Sequence, residues 1–308
     1  LHVRLHSFPT RRSSDLKCYS AFPPLSPEWL DFRRELHMTD DKDLLIEQQA
    51  PGLLPLFEGK MIWQYSHVFE KPQYWLNPIA FDRRLRSKEL RRMARDLGVP
   101  KAEVAKHTDA IRSDREYLRL GYREIASDTN ERTLIFSLLP KNIGVGHKVT
   151  YTVPKRYVRG VDGSATTLAV SPLRMLFALA WFNSVLVDWL ARFMIQISVS
   201  QTYLYRLPVP QPDDDTIRAN PDYAQLAKNA LLLSLSASWD DFAELAPLFA
   251  IQPTDVPFTA KAKDLLRAEN DKTVARLYGI SGAEFAHLLR SFKGMASKRP
   301  EYLMLLDS

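Results

Sequence analysis

The sequence has little sulfur and no metal-binding spacing. Cys18 is the only cysteine in 308 residues, which excludes a disulfide framework and a thiolate metal site and fits a reducing cytoplasm. The seven histidines are scattered, with no HExxH or paired spacing, so a structural metal is not expected. Neither GxGxxG nor GxxxxGK[ST] occurs. Gly144-Val145-Gly146-His147-Lys148 is glycine-rich but lacks their spacing, and reads instead as a mobile loop offering His147 and Lys148 to a phosphate backbone. No apolar core of signal-peptide length follows the basic N-terminal residues. The one long apolar stretch, Ser171–Ile197, is interrupted by Arg174, Asn183, Asp188 and Arg192. Each charge would cost about 2.5–3.5 kcal/mol at a bilayer centre. Asp188 and Arg192 stand four apart and can pair, so the stretch is expected to be a buried helix opened by Ser171 and Pro172.

What is present is a chain that can bury a sizeable core, with 45% hydrophobic residues and a length that allows two or so domains. Its formal charge of +6 makes a polyanionic partner plausible. The charge is uneven. Phe81–Arg123 holds thirteen Lys or Arg against seven Asp or Glu, whereas Gln211–Ser308 holds eleven against fourteen. On a helix, Arg84, Lys88, Arg91 and Arg95 fall on one stripe, with Leu85, Leu90, Met93 and Leu97 across much of the rest. Such a stripe is either a solvated face or a row of phosphate contacts. Lys155, Arg156 and Arg159 extend the basic surface.

The organising stretch is Tyr122–Pro140, YREIASDTNERTLIFSLLP. It reads as two strands, Tyr122–Ala126 and Thr133–Leu139, joined by a polar connector at 127–132. A rigid hairpin of this kind would hold Thr129, Asn130 and Arg132 outward. Asn and Arg can form paired hydrogen bonds with adenine and guanine edges; an ordinary solvated turn is the alternative. Upstream, Ser26 with Pro27 predicts a helix whose apolar side is Trp29, Leu30, Phe32 and Leu36. Met61–Tyr65 reads as a short strand after a turn at Glu58-Gly59-Lys60; Lys60 would touch phosphate while Trp63 and Tyr65 stack on bases or are buried. Downstream, Gln201 and Thr202 are candidate base or phosphate contacts, ahead of the strand ending Leu207-Pro208-Val209-Pro210. Helices are expected over Ala260–Tyr278, with Gly279 as C-cap, and over Ala283–Phe292. The apolar tail Tyr302–Leu306 is expected to dock on a neighbour.

The NERT-strand-LLP pattern resembles the target-recognition region of adenine-specific DNA methyltransferases from restriction–modification systems, in particular type IIG enzymes with a TaqI-like specificity domain. Three further stretches match in the same order: Leu54–Phe69, Asn183–Pro210 ending in YLYRLPVP, and Ala275–Leu289. The resemblance implies an α+β fold, a mixed-sheet recognition domain with inserted helices followed by a helical C-terminal part. It also implies double-stranded DNA as partner and an upstream methyltransferase domain in the same chain. S-adenosylmethionine would be the cofactor of the full enzyme, which transfers methyl to the adenine amine with or without DNA cleavage, and no cofactor is expected on this part. The candidate DNA contacts are then Lys60, Arg84, Lys88, Arg91, Arg95, Arg123, Thr129, Asn130, Arg132, His147, Lys148, Gln201 and Thr202.

The expected division is 17–56 as the end of a truncated methyltransferase domain with its linker, 57–210 as the recognition domain and 211–308 as the helical region. Residues 6–16, HSFPTRRSSDL, resemble a translated sequencing adapter, and 1–16 are expected to be artefact. If the preceding domain is missing, the apolar side after Ser26 would be left without a partner. Asn220-Pro221-Asp222-Tyr223 is one residue away from the NPPY motif of amino-methyltransferases, but the departure makes it a helix start, and Asn77-Pro78 lacks the aromatic. No complete methyl-transfer motif and no PD…ExK constellation is present. A stand-alone specificity subunit and a helical scaffold protein with a merely solubilising basic face are the alternative readings.

Overall fold

The computed structural model describes residues 13–104, 109–126, 130–195 and 197–307. Its strands are β1 (Phe32–Arg33), β2 (Leu54–Phe57), β3 (Trp75–Leu76), β4 (Arg119–Arg123), β5 (Phe136–Leu139), β6 (Gly144–Val145), β7 (Val149–Thr152), β8 (Lys155–Arg159) and β9 (Ala165–Ala169). The helices of the first half are α1 (Ser13–Ala21), α2 (Pro78–Leu97) and α3 (Lys101–Val104). Those of the second are α4 (Pro172–Phe182), α5 (Val185–Arg192), α6 (Gln201–Leu204), α7 (Asp214–Ala219), α8 (Pro221–Leu235), α9 (Trp239–Phe242), α10 (Ala260–Leu277), α11 (Gly282–Leu289), α12 (Lys293–Lys298) and α13 (Pro300–Asp307). The class is α+β with a helical C-terminal part, as the sequence leads one to expect.

The central hairpin forms, its first strand shifted three residues towards the N-terminus and its second starting at Phe136, not Thr133. β4 pairs antiparallel with β5, Tyr122 opposite Phe136, inside a four-stranded sheet of order β1-β7-β4-β5. A second sheet, β3-β2-β6, contains one parallel pair, and β8-β9 is a separate ribbon. Period-2 alternation separates the two faces of the four-stranded sheet. Phe32, Leu120, Tyr122, Phe136 and Leu138 point into one large apolar cluster with α4, α5, α8 and the C-terminal helices. That cluster runs unbroken across residue 210 and reaches Tyr302 and Leu306, so the tail docks as expected.

Helix ends follow their caps. Ser171 accepts from the Leu173 and Arg174 amides, and Asn77 from Ile79 and Ala80. Asn220 accepts from Asp222 and Tyr223, so both Asn-Pro pairs are helix starts. Gly279 takes φ +72° just after α10, where a Cβ would be strained.

Several local expectations fail, each for a tertiary reason. The segment after Ser26 makes a single turn and passes into β1, because Phe32 and Arg33 pair with Thr152 and Tyr151. Its apolar residues Trp29, Leu30, Phe32 and Leu36 are buried against this chain and need no other partner. Met61–Tyr65 is no strand: Trp63 bridges Ser66 in a tight turn with Tyr65 at φ 64°. Ser171–Ile197 is two helices bent by 65° at Asn183-Ser184. No single described helix is long and apolar enough to cross a membrane, and the bent pair is buried almost throughout. Gly144-Val145 is strand β6 and not a mobile loop. A Cβ on Gly144 would lie 2.3 Å from Leu76, so these glycines permit close packing. Residues 13–16 begin α1, and Cys18 further along that helix is buried in the main cluster; the rest of the expected artefact, residues 1–12, lies outside the described residues.

Candidate nucleic-acid interface

The antiparallel order of the four-stranded sheet brings the C-terminal ends of β1 and β4 to the same edge as the N-terminal ends of β5 and β7. Arg34, Arg123, the end of the connector at 130–132 and the His147-Lys148 turn therefore gather at one end. Gly59 draws Lys60 there too. A Cβ on Gly59 would be 3.0 Å from the Lys148 carbonyl oxygen and 3.5 Å from Arg123 Cγ, so only a bare backbone fits this closely. Lys148 itself takes φ 68° to make the turn. The Val199 amide donates to Glu124 O, and the Glu124 amide to Lys148 O, both at 2.8 Å, which places the start of α6 beside the same loops. Lys60, Arg123, His147, Lys148, Gln201 and Thr202, far apart in sequence, are thus on neighbouring loops.

The charges at this end are only partly neutralised internally. Arg34 forms a two-pronged pair with Glu124, at 2.5 and 2.7 Å, and Lys60 Nζ lies 3.7 Å from Glu58. His147 is exposed, and partial burial together with Lys148 holds its pKa below the ordinary histidine value. Near neutral pH it is therefore a hydrogen-bonding group more than a cation.

Helix α2 carries the stripe the sequence predicts, with Lys88, Arg91 and Arg95 exposed. Arg84 belongs to it by position but not by availability, since its guanidinium binds Asp41 at 2.6 Å and Asp43 at 2.5 Å. Arg95 pairs with Asp96 at 3.1 Å, and Lys88 Nζ donates to Glu35 O at 2.9 Å. Because Glu35 follows Arg34, the middle of α2 borders the loop end of the sheet. Arg34 was not among the candidates; its place depends on a pair 90 residues apart, which no local pattern announces.

Two expected surface cations are interior. Arg132 is 4% exposed and donates to Asn183 O. The polar connector does not carry it outward because the bend between α4 and α5 captures the following strand. Asn183 bonds both the amide and the carbonyl of Phe136, while Asp188 accepts from the Thr133 and Leu134 amides and pairs with Arg192. Lys155 is fully buried, 2.5 Å from Asp114 and 3.1 Å from Glu89. Arg156 and Arg159 do remain exposed. Asn130 is exposed, with its carbonyl held by Arg192 at 2.9 Å. Thr129 lies outside the described residues. Trp63 is half-buried and stacked on Phe69, with centroids 5.5 Å apart, whereas Tyr65 is buried and cannot stack on a base.

No family model and no curated protein matches this chain. Among solved structures it is similar to the type IIL restriction-modification enzyme MmeI, determined in complex with DNA, with a TM-score of 0.44 and 14% identity. The likeness covers 86% of this chain and 35% of that one, so it is a coarse resemblance to part of a longer protein.

Proposed function

We propose that this chain is the DNA sequence-recognition part of a restriction–modification adenine methyltransferase, and that the loop end of the four-stranded sheet, with the exposed side of α2, meets the duplex. The observation that carries the DNA contact is the gathering of Lys60, Arg123, Lys148 and Arg34 around Gly59, bordered by Lys88 and, further along α2, Arg91. Four loops on a rigid sheet suit phosphate positioning, and Asn130, Gln201 and Thr202 beside them are of the types that read base edges. The enzyme class rests on the order of the family-like stretches. The likeness to MmeI is in keeping with that class and supports it no further.

In this reading the NERT and Asn183-Ser184 motifs are architectural: Arg132, Asn183 and Asp188 fix the strand that follows the connector. S-adenosylmethionine and methyl transfer belong to another part of the enzyme. Asn77 and Asn220 both spend their side-chain oxygens on helix caps. The test is binding of a random-sequence duplex as a function of salt. Log affinity should fall linearly with log salt, by about 0.9 for each phosphate neutralised. Absent or salt-insensitive binding would favour the scaffold reading.

A further inference from the structure

Single exposed apolar side chains are ordinary on a protein surface, but two of them stand where the proposed duplex contact lies. Ile197 is 73% exposed and Ile125 37%. Val161, Phe258 and Met304 are at least as open, on the ribbon tip and in the helical C-terminal part; Ile197 is the one of these that is bonded to the loop end of the sheet. Ile125 bridges Ser198 antiparallel, and the Ala126 amide donates to Ile197 O at 3.2 Å. The two side chains are thus carried on a short paired extension of β4. Its root is Glu124, which is buried. The Glu124 amide donates to Lys148 O, its carbonyl accepts from the Val199 amide, and its carboxylate holds Arg34 and the Thr150 hydroxyl. Arg123 immediately precedes it. Paired backbone and a buried carboxylate therefore fix the isoleucines among the cations of the interface.

An aliphatic side chain gains nothing from a phosphate. It gains free energy where it meets apolar surface and both lose water. A duplex offers such surface on the thymine methyl of the major groove and on the face of a base at an opened step. Isoleucine suits the contact, since its branched side chain has few rotamers to lose. The same cations that draw in a polyanion set it against these side chains.

On the reading of this end as the duplex contact, we propose that Ile197, with Ile125 across the pair from it, makes an apolar contact to the bases. That contact is a salt-independent part of DNA binding, carried by residues other than the cations. The test measures binding of the full chain to a random-sequence duplex as a function of salt. Ile197→Ala removes the contact, and Ile197→Thr keeps the branched shape while making it polar. Each should weaken binding by about tenfold and make the heat-capacity change of binding less negative. Each should leave the slope of log affinity against log salt unaltered, since no phosphate contact is lost. The melting temperature should hardly move, because the side chain is mostly exposed. Two modified duplexes tell the surfaces apart. Uracil in place of thymine should remove the difference between native and variant if the methyl is the partner. A 2-aminopurine label should brighten with the native protein and not with the variants if an opened step is. Failure of the native protein to bind the duplex overturns the DNA reading itself. Binding that both variants leave unchanged, or a salt slope that falls in them, overturns the apolar contact alone.

Discussion

On one face of the four-stranded sheet, Phe136 stacks on Phe182 at 4.7 Å, Phe32 meets Phe182 edge-on, and Tyr122 packs edge-on or tilted against Phe32 and Phe136. On the opposite face, Arg33, Arg119 and Tyr151 meet a layer of charge beneath α2: Glu35, Glu89, Arg92, Asp114 and Lys155. The first face is held by area removed from water and tolerates imprecise partners. The second holds only if every charge keeps its complement, because a buried ion without one is far costlier than a lost contact. Asp114 shows the balance. Burial raises its pKa, yet Arg33, Arg92 and Lys155 together hold it well below the usual carboxylate range. Glu35 goes the other way, with burial outweighing Arg119.

The sharpest break of the apolar face is Phe136→Ala, expected to cost about 5 kcal/mol in urea unfolding, since a buried aromatic and its stacking partner are both lost. A cost below about 1 kcal/mol would mean that this face repacks freely. On the charged face, Asp114→Asn keeps the shape and removes the charge that three cations share; about 3 kcal/mol is expected. The effect must depend on pH. A carboxylate whose folded pKa is depressed contributes stability above its unfolded value, near 4, and that contribution is lost as pH falls towards the folded value. The gap between native and Asp114→Asn stability should therefore be full at pH 6 and narrow steadily below pH 4. A gap that does not change with pH would show the layer to be hydrated. Asn183→Ala, at the junction of sheet and helices, leaves the Phe136 amide without its acceptor and the Phe136 carbonyl with the Tyr65 amide alone, and should cost about 2 kcal/mol. Hydrogen exchange at Phe136 and its neighbours should quicken with it.

The two faces were not equally legible. Phe136 and Leu138 read as buried strand residues from hydrophobicity, whereas Leu120 lay before the expected strand start at Tyr122; the helix caps at Ser171 and Asn220 follow from local chemistry. Arg119, between Leu118 and Leu120, and Lys155, beside Arg156, look like solvent-facing positions, and their burial follows only from acids distant in sequence: Glu35 for one, Glu89 and Asp114 for the other. Arg132 misled for the same reason. Its connector has turn composition, but the carbonyl that binds it comes from the bend at Asn183, fifty-one residues on. The stripe on α2 was readable from helical spacing, whereas the neutralisation of Arg84 by Asp41 and Asp43 was not, because that requires the preceding loop to fold back over the helix. Long-range charge pairing is what a local pattern cannot carry.

The central claim is that the loop end of the sheet meets a polyanion while the buried charges serve the fold. It is tested most directly by comparing two double variants in salt-dependent duplex binding. Lys60→Glu with Lys148→Glu alters two loop-end cations, of which Lys60 has only a 3.7 Å ion pair with Glu58, and should flatten the slope of log affinity against log salt by about two units without changing the melting temperature by more than a few degrees. Arg84→Glu with Arg91→Glu should flatten it by only about one unit, since Arg84 is already neutralised by two aspartates. A slope unchanged by the loop-end pair, in a protein that still binds DNA, would contradict the account and move the duplex to another surface.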